Sequence, residues 1–349
     1  MEPTETRTFR AHRGDARERL DLALVTRLAD VYGISRTRVQ QWIADGRVRI
    51  NGATAHKPSD RLAPGDEVEV RLPAAPPRPE TKPQEMPLSV LYEDEHLLAL
   101  DKPPGLVVHP TIGHREGTLL NALAWYLKER GGEPGRLGLV SRLDKGTSGV
   151  LLVARTGEVH ARLARALRRG EKEYLAVVYG KTGMDRGRID LKILRDPADR
   201  RRMTTSKTEG LDSSTLFETL AETDGEGVPL SLLRCRLLTG RTHQIRVHLK
   251  ARRLPIVGDP VYGEPRWKGI ADPVLAALCR DFPRQALHAW RLALEHPMTG
   301  ERLELRAPIP PDMANLLSVA GLEAAARSPL GPGGGSGEGQ GRSRTRSAG

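Results

Sequence analysis

The chain has 349 residues, which is enough for about two domains, and it carries 55 lysines and arginines against 44 aspartates and glutamates, a formal net charge of +11. This excess of positive charge favours a polyanionic partner such as nucleic acid. Two cysteines, Cys235 and Cys279, are too few for a disulfide framework, and no apolar run approaches the roughly 18 residues of a membrane-spanning helix, so the sequence predicts a cytoplasmic protein with no membrane association.

The first 72 residues predict a small module behind a polar start. Residues 1–16 hold few apolar side chains and are predicted to be disordered. From residue 17 onward, leucines at helical spacing predict one helix, and Ser35 is placed to cap a second. Two alternating stretches follow and predict a pair of strands, the first of which ends at the turn-forming Asn51-Gly52. Residues 17–72 are therefore predicted to form one compact domain.

A proline-rich segment separates this module from the rest of the chain. Residues 73–87 contain six prolines and little apolar content, which predicts a semi-rigid extended linker. Short apolar runs begin at Leu88 and predict a second domain over residues 88–325. The Gly/Ser/Arg-rich stretch 326–349 cannot bury enough apolar surface to fold and is predicted to be a disordered tail.

The second domain holds one acidic residue between two apolar runs, in GLVSRLDKGTSGVLLVART (138–156). The β-branched run after it predicts a buried strand, so Asp144 is expected on the loop that leads into that strand. Arg142 and Lys145 favour the ionised carboxylate, the form that acts as nucleophile or base. A loop aspartate between two cations is usually a solvated surface charge or a turn former, so this pattern alone does not establish a catalytic role.

Two later stretches carry further candidate residues. A predicted amphipathic helix ends at Gly170, and a strand containing Tyr174 follows it. The stretch Leu237 to Leu249 (LLTGRTHQIRVHL) reads as an amphipathic strand or helix with a basic face. Its two histidines have no acidic residue or cysteine nearby, so we predict no metal site.

The string SRLDKGTSGVLLVART resembles the catalytic motif of the RluA-type pseudouridine synthases, usually His-Arg-Leu-Asp-Lys-Asp-Thr-Ser-Gly. Two positions depart from this pattern, since Ser141 replaces the histidine and Gly146 the second aspartate. The resemblance implies that Asp144 is the catalytic carboxylate and that Arg142 fills the gap left by a flipped-out uridine.

The resemblance extends to the later stretches of the second domain. The family's Lys-x-Tyr-x-Ala strand is matched by KEYLA, which implies that Tyr174 stacks on the target base. The stretch LLTGRTHQIRVHL implies that Arg246 forms an ion pair with Asp144 and that Arg241 contacts RNA. Matching motifs run from about Leu88 to Pro308.

The N-terminal module is similar to a second family. The string SRTRVQQWIADGRVRINGATAHKPSDRLAPGDEVEV resembles an S4 RNA-binding domain and spans nearly the whole module. The resemblance implies RNA phosphate contacts by four arginines, which would position the RNA without reading its sequence. They are Arg36, Arg38, Arg47 and Arg49.

Together the two resemblances imply an α+β protein, an S4 domain followed by a catalytic domain with a mixed, mainly antiparallel sheet flanked by helices. They imply that it isomerises uridine to pseudouridine in RNA, with 23S ribosomal RNA as the expected substrate, as a monomer and without a cofactor. Asp144 would either attack C1′ of the ribose or take the C2′ proton, and the sequence does not decide between these routes. The alternative is a non-catalytic RNA-binding or ribosome-assembly factor that keeps the fold. A glycosidase acting on RNA would need a second catalytic carboxylate, which no motif supplies.

Overall fold

A computed structural model of the protein describes residues 5–12, 18–28, 31, 34–73, 81–108, 116–131, 138–199, 202–224 and 226–327. The predicted disordered tail therefore lies outside the described residues apart from residues 326 and 327, which belong to the last helix. None of the described helices has the length and apolar character needed to cross a membrane.

The N-terminal module is a four-stranded antiparallel sheet packed on two helices, of which the sequence predicts the two helices and two of the strands. Its elements are β1 (Glu5–Arg10), α1 (Leu20–Arg27), α2 (Arg36–Ala44), β2 (Val48–Ile50), β3 (Ala53–Thr54) and β4 (Glu67–Leu72). The strand order is β1-β4-β2-β3. The hydroxyl of Ser35 accepts a hydrogen bond from the Arg38 amide at 3.2 Å, so the predicted cap of α2 is present.

The first strand corrects the prediction of disorder over residues 1–16. Glu5–Arg10 forms β1 and pairs antiparallel with the whole of β4. Its side chains are mostly exposed, and Phe9 packs against the core of the module. The strand is held by its backbone hydrogen bonds to the open edge of β4, and such bonds need no apolar pattern in the sequence.

A buried carboxylate fixes the two helices of the module to each other. Asp21 on α1 is fully buried, and it accepts hydrogen bonds from Arg19, Arg36 and Gln40, the last two on α2. Burial by itself raises the pKa of Asp21, but these three donors outweigh burial and hold the pKa well below its usual value. Arg36, one of the predicted RNA ligands, therefore also stabilises the fold.

The second domain is built on a ten-stranded sheet whose strands are mostly antiparallel, which confirms the predicted fold class. The main path of the sheet runs β10-β13-β14-β9-β15-β8-β6-β5, with β15 and β8 parallel. Two further strands extend it, since β16 pairs with β15 and β7 with β8, and β11 and β12 form a separate hairpin. The strands are β5 (Ser89–Glu93), β6 (Leu97–Lys102), β7 (Gly138–Leu139), β8 (Ser148–Ala154), β9 (Glu171–Tyr179), β10 (Arg186–Asp190), β11 (Lys192–Arg195), β12 (Met203–Ser206), β13 (Ser214–Glu222), β14 (Leu230–Leu237), β15 (Leu287–Glu295) and β16 (Arg302–Arg306).

Helices cover the sheet and complete the domain. They are α3 (Leu119–Lys128), α4 (Gly157–Arg169), α5 (Gln244–Ala251), α6 (Pro273–Arg280), α7 (Pro311–Val319) and α8 (Glu323–Arg327), with a short 3₁₀ turn at Arg266–Gly269. The stretch that reads as either strand or helix in the sequence is the helix α5, because buried side chains occupy every position from Gln244 to Leu249. A strand exposed on one face would bury alternate positions only.

The end of the predicted linker is held against the second domain. The carbonyl of Lys82 accepts a hydrogen bond from Asn121 at 2.9 Å, and the amide of Gly117 donates to Gln84 at 2.6 Å. Residues 74–80 lie outside the described part of the chain. The described end of the linker is therefore extended chain docked on α3.

We expect Asp21→Asn to destabilise the N-terminal module by about 2 to 3 kcal/mol, because the amide cannot satisfy three donors that face a carboxylate. The pKa of Asp21 is depressed by folding, so the stability that the carboxylate contributes is fully present above its unfolded pKa of about 4. This stability starts to decline below that pH and is lost only as the pH falls through the depressed pKa of the folded state. The difference in stability between the variant and the wild type should therefore be largest at pH 7 and should shrink steadily as the pH is lowered below about 4. Hydrogen exchange of the α1 and α2 amides in the full chain measures this difference in the stability of the module.

The matched control is Asp45→Asn, which alters an exposed carboxylate 3.9 Å from Arg47 in the same module and should change stability by less than about 1 kcal/mol. A difference between wild type and Asp21→Asn that does not depend on pH would contradict this account of the cluster.

Candidate active site

A cavity of about 590 Å³ lies between the loop before β8, strand β9 and the start of α5. All five residues that the sequence predicts for catalysis and RNA contact in the second domain line it. These residues are Arg142, Asp144, Tyr174, Arg241 and Arg246. The four predicted arginines of the S4-like module lie on α2 and around β2, away from this cavity.

The predicted ion pair is present at the centre of the cavity. Nη1 of Arg246 donates to Oδ2 of Asp144 at 2.8 Å, across 102 residues of sequence. The Arg246 side chain is 5% exposed and that of Asp144 is 21% exposed. The carboxylate is thus fixed through one oxygen and still reaches the open volume of the cavity.

A second carboxylate, Asp259, holds the rest of the Arg246 guanidinium. Nε and Nη2 of Arg246 donate to the two oxygens of Asp259 at 2.7 and 2.8 Å. The amides of Val261 and Tyr262 also donate to Asp259, each at 2.9 Å. Burial tends to raise the pKa of Asp259, but Arg246 and the two amides outweigh it and keep the pKa below its usual value. Asp259 is therefore a permanent anion that orients Arg246.

The sequence gives Asp259 no role, although it stands in a recognisable Gly-Asp-Pro turn. Its partner Arg246 is 13 residues earlier. The sequence does not reveal the contact between Asp259 and Arg246, because aspartates are common in turns and only folding brings this one to the guanidinium. The available hint was an acidic residue 13 positions after an arginine that the resemblance places in an ion pair.

His243 faces the other oxygen of the Asp144 carboxylate. Its Nε2 lies 3.9 Å from Oδ1 of Asp144, and its Nδ1 lies 2.9 Å from the hydroxyl of Tyr262. That hydroxyl accepts a hydrogen bond from the Met203 amide at 2.8 Å, which leaves its own proton for Nδ1 of His243. Burial lowers the pKa of His243, so the neutral imidazole is favoured and its proton sits on Nε2, facing Asp144.

Three buried side chains bind the loop that carries Asp144, two of them through its backbone carbonyls and one through the hydroxyl of Thr147. The ammonium of Lys102 is fully buried and donates to the carbonyl of Lys145 at 3.2 Å. Arg284 donates to the carbonyl of Gly146 at 3.0 Å, and Gln285 donates to the hydroxyl of Thr147 at 3.0 Å. The loop is thus held by donors from two distant parts of the chain.

Further hydrogen bonds fix the side chains of Arg284 and Lys102. Nε and Nη2 of Arg284 donate to the carboxylate of Asp312 on α7 at 2.6 and 2.8 Å. Lys102 also donates to the carbonyls of Pro103 and Leu106. Burial lowers the pKa of Lys102 to about 8.

Gly146, one of the two departures from the family motif, leaves room that Gln285 occupies. A Cβ atom built at Gly146 would lie 2.4 Å from the side-chain oxygen of Gln285. A larger residue here would push this amide aside and disturb its bond to Thr147. The other departure, Ser141, lines the cavity, and its hydroxyl accepts from the Leu152 amide at 3.4 Å.

Tyr174 presents its side chain to the cavity from β9. It is partly buried and packs against two of the apolar clusters of the domain. Burial, followed by the nearby charge of Asp144, raises the pKa of the Tyr174 hydroxyl, which therefore stays protonated at neutral pH. An aromatic ring and a neutral hydroxyl border the same space as the carboxylate.

The two remaining arginines stand at the rim. Arg142 and Arg241 are exposed and line the opening of the cavity. Nε of Arg241 donates to the carbonyl of Asp212 at 3.2 Å, which fixes the direction of its side chain. Positive charge therefore surrounds the entrance, while the carboxylate lies below it.

The chain matches two family models and a set of curated relatives. The model described as RNA pseudouridylate synthase matches residues 96–251, and the S4 domain model matches residues 19–68. The ribosomal large subunit pseudouridine synthase D of Xanthomonas campestris is 42% identical over 300 residues, which cover 85% of this chain and 88% of the relative. The chain belongs to the RNA pseudouridine synthase family.

Two further proteins of this family also match the chain. The ribosomal large subunit pseudouridine synthase D of Escherichia coli K12 is 40% identical over 306 residues, covering 86% of this chain and 90% of the relative. The solved structure of human RNA pseudouridylate synthase domain containing 1 matches with a TM-score of 0.51 at 29% identity, covering 66% of this chain and 87% of that chain. Family membership makes this protein an RNA pseudouridine synthase, as the sequence predicts.

We expect Asp259→Asn to lower kcat by about a hundredfold, because Arg246 loses one charged partner and Asp144 is no longer held in position. The control is Asp281→Asn, which alters an exposed carboxylate paired with Arg280 and should leave kcat within about twofold. Steady-state measurements with saturating RNA separate kcat from binding. If both variants are folded and their effects on kcat are equal, Asp259 has no role in positioning Arg246 and Asp144.

Proposed function

We propose that this protein converts uridines of large-subunit ribosomal RNA, the 23S RNA, to pseudouridine, with Asp144 as its catalytic carboxylate. The observation that carries the proposal is the Asp144–Arg246 contact of 2.8 Å inside a cavity that Tyr174 also lines. The similarity to synthases named for the large ribosomal subunit supports this choice of RNA. We further propose that it acts as a cytoplasmic monomer.

The geometry suits a reaction at the ribose. In the isomerisation the bond from N1 of uracil to C1′ breaks, the base turns, and C5 bonds to C1′. C5 gives up its proton and N1 gains one, so no group is added and no electron is exchanged. Asp144 acts on the sugar with the oxygen that Arg246 leaves unbound, either at C1′ or at the C2′ proton. Arg246 stabilises the charged carboxylate, and Asp259 keeps Arg246 in place when the charge on Asp144 changes.

The base must leave its helix to reach this carboxylate. Asp144 is only 21% exposed, and a stacked and paired uridine cannot bring its sugar to the floor of a cavity. Extrusion of the nucleotide costs a few kcal/mol, and stacking of the uracil on Tyr174 offsets part of that cost. Arg142, exposed at the rim, fills the space that the uridine leaves.

The S4-like module supplies further contacts to the RNA. Arg36, Arg38, Arg47 and Arg49 bind phosphates and position the substrate without reading its sequence. Arg36 donates to Asp21 through Nε and so offers RNA its remaining N–H groups. Its orientation is fixed before the RNA arrives, which lowers the entropy lost on binding.

We expect Asp144→Asn to bind RNA and to form no pseudouridine, since the reaction needs a carboxylate at this position. Pseudouridine is mapped in ribosomal RNA from cells that carry the wild-type gene, lack the gene, or carry only the variant. The sites lost without the gene should be restored by the wild type and not by the variant. A map that is the same in all three strains would overturn the ribosomal assignment, and restoration by Asp144→Asn would overturn the catalytic one.

We expect Tyr174→Leu to lose much more activity than Tyr174→Phe, because stacking of a base on an aromatic ring contributes about 1 to 3 kcal/mol and only the phenylalanine retains the ring. The comparison is made as kcat/KM on one ribosomal RNA fragment. Losses of equal size would show that the hydroxyl carries the function of Tyr174, and a larger loss for the phenylalanine variant would refute the stacking role.

A further inference from the structure

Helix α4 carries a row of arginines that the catalytic constellation does not use. Arg162, Arg165 and Arg169 are exposed and follow one another at spacings of three and four residues, so they lie along one face of the helix. From the first to the last the helix rises about 10 Å. We call these three residues the basic ridge.

The fold makes little use of these charges. Other arginines of the domain are held by carboxylates, as Arg284 is by Asp312 and Arg291 is by Glu171 and Glu304. Among the described residues no carboxylate pairs with Arg165 or Arg169, and Arg162 meets only the exposed Glu158 one turn earlier. An exposed pair of this kind contributes little to stability, so three cations are kept at this surface without a structural need.

The opposite face of α4 fixes the ridge in place. Val159 and Leu163 are buried and pack with the strands that carry the catalytic loop. The helix is further defined at its start, where the hydroxyl of Thr156 accepts from the Val159 amide at 3.2 Å. The ridge therefore stands on a rigid element that continues directly from β8.

The ridge continues into the active site through Arg168. This residue lines the catalytic cavity together with Ala164 and Leu167. It also lines a neighbouring groove of about 1430 Å³, which all three ridge arginines and Arg302 border. Four carboxylates border the same groove. These are Glu18, Glu158, Glu171 and Glu295, of which Glu158 is paired with Arg162 and Glu171 with Arg291.

We propose that the basic ridge binds the phosphates of the RNA strand that flanks the target uridine. The inference rests on the proposed function, since it assumes a uridine held in the cavity. A flipped nucleotide stays joined to its strand on both sides, so the strand must cross the rim of the cavity. Arg168 lies where the rim of the cavity meets the ridge. A row of exposed guanidinium groups, of which only that of Arg162 has an exposed carboxylate partner among the described residues, complements a row of phosphates.

The test replaces the ridge charges and leaves Arg168 in place. The variant Arg162→Gln/Arg165→Gln/Arg169→Gln removes three positive charges with a residue that keeps helix propensity. The matched control, Lys181→Gln/Arg186→Gln/Arg188→Gln, removes three exposed positive charges at the far edge of the sheet, around β10. A third variant with lysine at the three ridge positions keeps the charge and tests whether charge is what matters.

The readout is the dependence of RNA binding on salt, measured with the full-length proteins and one ribosomal RNA fragment. Each lost phosphate contact lowers the slope of log K against log salt by about 0.7 to 0.9, so the glutamine ridge variant should lose about 2. Its kcat/KM should fall about tenfold through KM, while the control stays near the wild-type value and the lysine variant keeps most of the slope. A glutamine ridge variant with the slope of the control would overturn the proposal.

The outcome separates this inference from the function on which it rests. Wild-type protein that binds RNA and forms no pseudouridine in any fragment would contradict the proposed function, and the binding slopes would still decide the role of the ridge. Wild-type protein that forms pseudouridine, together with an unchanged slope for the ridge variant, would contradict the ridge alone.

Discussion

The guanidinium of Arg246 lies between two carboxylates, and the active site depends on this sharing. A buried cation is costly unless its donors are paired, and Asp259 alone occupies two of the guanidinium nitrogens. The third nitrogen holds Asp144. Because Asp259 compensates for the burial of Arg246, the guanidinium keeps a charged partner whatever the charge of Asp144.

The backbone of the loop that carries Asp144 is also fixed by buried polar side chains. Lys102 and Arg284 bind its carbonyls from below, and Gln285 binds the hydroxyl of Thr147. These donors leave the side chain of Asp144 untouched while they restrict the chain that carries it. Positioning within about half an ångström is what separates a working constellation from an inactive one, and a loop tied at three successive residues meets that demand better than a loop held by its ends.

Local pattern was enough for much of the fold and for part of the site. Neighbouring residues predict the cap at Ser35 and the buried strand after Asp144, and the structure has both. Strand β1 was missed because the edge of β4 holds it through backbone bonds that leave no apolar pattern. Asp259 and Arg284 were missed for a related reason. Their importance lies in contacts with parts of the chain that only folding brings together, 138 residues away for the bond from Arg284 to the loop.

These distant contacts have a consequence for the newly made protein. The loop that carries Asp144 leaves the ribosome well before Arg246, and Arg246 leaves before Asp312, which orients Arg284 under the loop. Pairings so far apart in sequence form late in folding, since the intervening chain must be closed into a loop first. The contacts that fix Asp144 and its loop can therefore form only when nearly the whole second domain has been synthesised.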